Sequence, residues 1–360
     1  MSNLDDPYVV SETDPLGFLS LVEEFPQQIE DGWLLGKQIN GLPSAKDIDG
    51  IVILGMGGSG ISGNVLKAAL GIGFKLPVRV SKGYGVPGWV GPDTLVFAVS
   101  YSGETEETLE AFGRAHAAGA RIVTVSAGGT LTRLGEERGC AAVNLKTGLQ
   151  PRAALGYLSL PLLAVCQGLG IGSYEADVAE TTELLRRRAG QWNRTVPVSE
   201  NRAKQIAQSL VGTIPVVYGA EGLGAVAAYR WKCQLNECSK VHAFENSFSE
   251  MNHNEVMGWS PMSSQVGVEM ALVTLRHPGE HPRIQDRFRV TLPLLADRAA
   301  VAVEVRTEAR SALARLLDLI YMGDFVATYL AIAGGVNPTT IDLIDRVKEA
   351  LRDAPPAGSE

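Results

Sequence analysis

Short apolar, β-branched runs alternate with helix-favouring stretches along the chain. Ile51-Val52-Ile53-Leu54 is followed by a helical stretch from Ser62 to Leu70, then by PVRV, TLVFAVS, a helix over Thr105 to Ala118, and RIVTVS. This is the rhythm of parallel α/β units, strand followed by helix. The rhythm restarts at IPVVYG, Ile214 to Gly219, passes through AEGLGAVAAYRWKCQLNE, MALVTLR and AVAVEV, and ends in long helical stretches.

The pattern therefore predicts an α/β chain of two related parallel sheets, each flanked by helices. Gly55, Gly58 and Gly60 fall on Gly219, Gly222 and Gly224, each set behind a strand and at the opening of a helix. The expected divisions are an N-terminal domain over 1–173, a charged helical connection over 174–208, a C-terminal domain over 209–350 and a flexible tail over 351–360. The uncharged segment from Ala153 to Tyr174 approaches membrane-spanning length but carries Pro161 and several glycines, so it reads as a buried helix and turn.

Composition narrows the function. With 32 Lys and Arg against 40 Asp and Glu, the net charge is -8, and the pI is near 5.3. That balance argues against nucleic acid or an anionic membrane as partner. The cluster Arg186-Arg187-Arg188 reads as the solvated face of a helix. The start, MSNLDDPYVV, does not resemble a signal peptide, and Cys140, Cys166, Cys233 and Cys238 form no C-x-x-C pair, so a cytoplasmic protein with core thiols is expected.

Candidate chemistry begins at GMGGSGISGN, Gly55 to Asn64, which fits G-x-G-x-x-G between a strand and a helix. Such a turn brings backbone N–H groups and a helix dipole to a phosphate, whether of a dinucleotide or of another ligand. A dinucleotide site asks for an acidic residue about 20 positions on. None stands between Ile61 and Pro92, where the second strand instead ends in Arg79-Val80-Ser81-Lys82. NADP remains an alternative at this point. One strand later comes SYSGETEET, Ser100 to Thr108, whose hydroxyls either cap the next helix or cradle a monophosphate without a metal.

GMGGSG followed by SYSGETEET resembles the sugar isomerase (SIS) domain family of phosphosugar-binding modules. QPRAALGY, NECSK and ENSFSEMNHNEVMGW resemble its branch with two such domains, the bifunctional phosphoglucose and phosphomannose isomerases. The resemblance implies that Gly58, Ser59, Ser100, Ser102 and Thr105 hold a substrate phosphate. It further implies that Arg152 faces an enediolate, that Glu237 is the base, and that His253 and Lys348 serve ring opening.

For Glu237 there is also a local reason, because the C-terminal end of its helix presents negative dipole charge that would raise a carboxylate's pKa. Asn64 and Ser249 depart from what is common in relatives, without removing a proposed group. Gly224 and Glu237 are 13 residues apart, about 20 Å along a helix, so the second glycine turn cannot serve the same sugar. The implied reaction interconverts glucose or mannose 6-phosphate with fructose 6-phosphate, with no cofactor and no metal, in a homodimer that supplies His253 across its interface. The alternatives are a non-catalytic sugar-phosphate sensor, and zinc at His277 and His281, where Pro278 and Gly279 in HPGEH prevent the helical i,i+4 presentation of H-E-x-x-H sites. Thr339 or Thr340 is expected to border the space in which the sugar's C1-C2 segment turns.

Overall fold

A computed structural model describes residues 3–71, 73–260, 267 and 269–354. The first half forms a five-stranded parallel sheet from β1 (Gly50–Leu54), β2 (Val78–Ser81), β3 (Thr94–Val99), β4 (Arg121–Ser126) and β5 (Ala141–Asn144), in the order β2-β1-β3-β4-β5. The second half forms a four-stranded parallel sheet from β6 (Ile214–Gly219), β7 (Phe244–Ser247), β8 (Met270–Arg276) and β9 (Val301–Arg306), in the order β7-β6-β8-β9. The order matches strand for strand, β6 pairing β7 and β8 as β1 pairs β2 and β3. Among the described residues the second sheet has no fifth strand, so β9 is an edge. Its Val303 and Val305 are buried while Ala302, Glu304 and Arg306 are exposed, a charged rim that discourages pairing with another chain.

The two sheets share much of one core. A single cluster joins Ile53, Phe97 and Val125 of the first sheet to Val217, Val273 and Leu275 of the second, through helices Leu155–Gly168, Leu223–Glu237 and Ala312–Ala333. The last of these is long and apolar enough to cross a membrane, yet its apolar window is completely buried within the fold. Leu155–Gly168 packs against helix Phe25–Lys37 at backbone range. A Cβ at Gly36 would lie 2.6 Å from Pro161 Cα. The proline and small residues of this segment thus serve a close helix crossing.

The structure alters or sharpens several sequence expectations. The helix behind the first glycine turn starts at Gly57, five residues before Ser62, so the glycines form its first turn. Within the connection, helices Glu175–Trp192 and Arg202–Leu210 place Leu185, Trp192, Ile206 and Leu210 in the common core. Arg188 is not on a solvated face: its guanidinium turns inward to the buried Asp318 at 2.9 Å, because a carboxylate inside an apolar helix needs a cation. The terminal helix Asp342–Asp353 includes the first residues of the expected tail, and the rest of that tail, from 355 on, lies outside the described residues.

Candidate active site

In the first sheet the chain leaves β1 toward β2 on one side and returns to β3 on the other, opening a crevice beyond the C-terminal ends of β1 and β3. Both candidate phosphate segments meet there. Helix Gly57–Leu70 starts behind β1 and helix Glu106–Ala117 starts behind β3, and neither has a side-chain hydrogen bond at its N-cap. Thr105 occupies the second N-cap, but its hydroxyl sits 2.9 Å from Ser100 Oγ instead of closing the helix. Ser100 Oγ also accepts from the Gly103 amide at 3.1 Å, and Ser59 Oγ accepts from the Tyr101 amide at 3.3 Å, tying the two turns together. Ser102, exposed, accepts from the Glu104 amide. The crevice thus holds two helix N-termini whose first-turn N–H groups carry no side-chain cap, the arrangement that suits an anion.

Gly58 has a second function. A Cβ there would lie 2.8 Å from the Pro151 carbonyl oxygen, so the glycine turn rests directly on the short 3-10 turn Pro151–Ala153. That turn carries Arg152, only 4 % exposed. Arg152 Nη2 donates to the carbonyls of Pro338 (2.9 Å) and Thr339 (2.6 Å), its guanidinium lies 5.1 Å from the Phe18 ring centroid, and its Nε has no partner. Behind it, Arg230 donates to the Arg152 carbonyl at 2.6 Å while paired with buried Asp324. Sequence reasoning missed this support, because neither Arg230 nor Asp324 stands near a motif and only the packing joins them.

Glu237 is the last residue of helix Leu223–Glu237, and its Oε2 lies 4.0 Å from Arg152 Nη1. Next to it Cys238 is fully buried, and burial pushes its thiol up to about 12, which disqualifies it as a nucleophile near neutral pH. Thr339 is also buried, and its Oγ1 has no partner, whereas Thr340 is exposed. The structure therefore brings Gly58, Arg152, Glu237 and Thr339 together from four separate stretches of chain.

Two expected residues stand apart. The helix ending at Glu237 runs back from the C-terminal end of β6, and β7 then returns parallel to β6 before the turn that holds His253. Glu237 and exposed His253 consequently lie toward opposite ends of the second sheet. Lys348 is exposed on the terminal helix, 3.8 Å from Asp345. That helix buries none of its residues, and Leu343, Val347 and Leu351 are exposed along it.

Tandem parallel sheets with a glycine turn and a hydroxyl-rich turn at one switch-point crevice define a double SIS-domain protein. The SIS domain model matches residues 46–141, and the model of the bacterial phospho-glucose isomerase C-terminal SIS domain matches residues 199–351. The chain belongs to the bifunctional phosphoglucose/phosphomannose isomerase family. It is 38% identical over 333 residues to the bifunctional phosphoglucose/phosphomannose isomerase of Caldicellulosiruptor bescii, covering 92% of this chain and 98% of that protein. The protein of the same name from Aquifex aeolicus is 36% identical, covering 86% and 93%. Among solved structures, a glucose-6-phosphate isomerase like protein from Thermus thermophilus shares the fold with a TM-score of 0.62 at 20% identity, covering 96% of this chain and 100% of that one.

Proposed function

We propose that this protein interconverts fructose 6-phosphate with glucose 6-phosphate, mannose 6-phosphate or both, by proton transfer through an enediolate. The observation that carries the reading is the Arg152–Glu237 pair, a carboxylate 4.0 Å from a buried guanidinium with an unpartnered Nε, beside the crevice with two uncapped helix N-termini. The phosphate sits in the crevice, held by the turns that carry Gly58, Ser59, Ser100, Ser102 and Thr105. Glu237 takes the C1 proton of the open-chain ketose and returns it to C2, while the hydroxyl proton passes from O1 to O2. Negative charge that develops on O1 and O2 faces Arg152.

Delivery of the proton to one face of C2 yields glucose 6-phosphate, and delivery to the other yields mannose 6-phosphate. Thr339, with its buried unpartnered hydroxyl beside Arg152, borders the space in which that segment turns. The proposed steps at C1 and C2 use side chains and call on no metal.

His253 serves ring opening from a second copy of the chain, since its own Glu237 lies at the far end of the sheet. Lys348 assists from the terminal helix, whose exposed Leu343, Val347 and Leu351 fit contact with that second copy. Four free thiols fit a reducing cytoplasm. The test is a coupled assay with fructose 6-phosphate in EDTA that resolves the two aldose phosphates. Formation of either supports the reading, and tight binding without product would instead indicate a sensor.

A further inference from the structure

The helix that carries Glu237 ends in an uncommon way. The Val241 amide reaches back to the Leu235 carbonyl and the Cys238 amide to that of Gln234, closing the last turn around Lys240, which adopts a φ of +55. This is the left-handed position after a helix, normally glycine because a Cβ crowds the carbonyl there. Among the described residues only Asp47 shares a positive φ without being glycine. An outlier held at such a place calls for a compensating interaction.

Lys240 has one. Its Nζ donates to the carbonyls of Glu237 at 2.9 Å, Cys238 at 3.3 Å and Asn337 at 2.9 Å. The first two are last-turn carbonyls, where a cation meets the negative end of the helix. The third belongs to a segment far along the chain. Asn337 Oδ1 in turn accepts from the Thr339 amide at 2.8 Å, and the Pro338 and Thr339 carbonyls hold Arg152 Nη2. Glu237 and Arg152, which face each other at 4.0 Å, are therefore also joined from behind through Lys240 and Asn337–Thr339.

We infer that Lys240 is a positioning residue that sets the distance between Arg152 and Glu237 by fastening Asn337–Thr339 to the end of the Glu237 helix. From the left-handed position its long cationic side chain spans these three carbonyls. The kinetic consequence rests on the isomerase reading, whereas the structural consequence does not. Neither requires Lys240 to touch the sugar.

The test uses the full-length protein with Lys240→Gly and Lys240→Asn, both of which tolerate a positive φ but lack the ammonium. The expected result is a fall in kcat with fructose 6-phosphate of about ten- to a hundredfold with KM little changed, since Lys240 contacts neither of the turns that hold the phosphate. Amides of Asn337 and of Thr339 to Ile341 should exchange with deuterated water faster, while the melting temperature and the exchange of helix Leu223–Glu237 stay close to wild type. Unchanged kcat in both variants overturns the proposal, as does lost activity traced to unfolding of that helix. If the wild-type protein itself forms no aldose phosphate, the isomerase reading fails, and exchange at 337–341 decides alone: unaltered protection overturns the positioning role, and faster exchange supports it.

Discussion

Arg152 and Glu237 approach to 4.0 Å across the seam between the two halves, one from a turn behind the first sheet and the other from a helix of the second. Neither half alone contains the pair.

Replacing Glu237 by glutamine keeps the shape and removes the proposed proton acceptor. General-base catalysis is worth about 10²- to 10⁴-fold, roughly 3 to 5 kcal/mol, so kcat should fall at least about a hundredfold while KM for fructose 6-phosphate changes little. Formation of glucose and mannose phosphates should fall together, along with exchange of the substrate's C1 or C2 hydrogen with deuterated water. Near-normal turnover would move the base to another carboxylate. Of these, Glu245 sits half-buried on β7 with its pKa raised by burial, Glu255 accepts from Tyr218 Oη and Asn246, and Glu250 accepts from Asn254.

The proposed sharing of each site between two copies makes a mixing prediction. Glu237→Gln and His253→Ala should each be inactive alone. Dissociated and reassociated together, they should recover about a quarter of wild-type activity, because half of the dimers are mixed and each mixed dimer rebuilds one of its two sites. Steady-state assay after mixing, with sedimentation to establish the dimer, checks it. Absence of recovery in demonstrably mixed dimers would place His253 in its own chain's site or outside the reaction.

Gly58→Ala tests the contact between the glycine turn and Arg152. The new Cβ would meet the Pro151 carbonyl oxygen at 2.8 Å, so the turn must shift. Stability should drop by about 1–3 kcal/mol and kcat by about tenfold or more. Gly113→Ala, on the helix behind β3 with nothing within 4 Å of its Cβ, should leave both unchanged or slightly raise stability. Thermal melts and the isomerase assay of the two variants side by side give the comparison.

His277 provides a pH prediction. It is buried, neither ring nitrogen has a partner, and burial lowers its pKa from 6.5 despite the neighbouring Glu280, with Arg315 and Arg276 also opposing its charge. The unfolded chain therefore binds a proton, from about pH 6.5 downward, that the folded protein refuses, and stability falls as pH falls through that window. Melting temperatures between pH 7.5 and 5.5 should decline, and His277→Gln should flatten the decline. An unchanged slope would show that His277 is not the group responsible.

Much of the fold was readable from local pattern. Doubly buried strands must be continuously apolar, which is why IVIL, TLVFAVS, RIVTVS, IPVVYG and MALVTLR all became strands of parallel sheets. β5 and β7 were not readable. AAVN is too short to carry a signal, and FENS is polar at a sheet edge, where pairing with β6 rather than burial places it.

The sequence by itself determined the repeated sheet, the position of both phosphate segments behind β1 and β3, and the motifs that carry family membership, since each depends on residues close in the chain. The tertiary structure alone decided what converges from a distance. It set Arg152 against Glu237, turned Arg188 inward to Asp318, and placed Lys240 between two backbone segments. It also put Glu237 and His253 toward opposite ends of one sheet, through the antiparallel run of a helix against its strands. Side-chain contacts of this kind arise from packing of the shared core, which local periodicity does not encode.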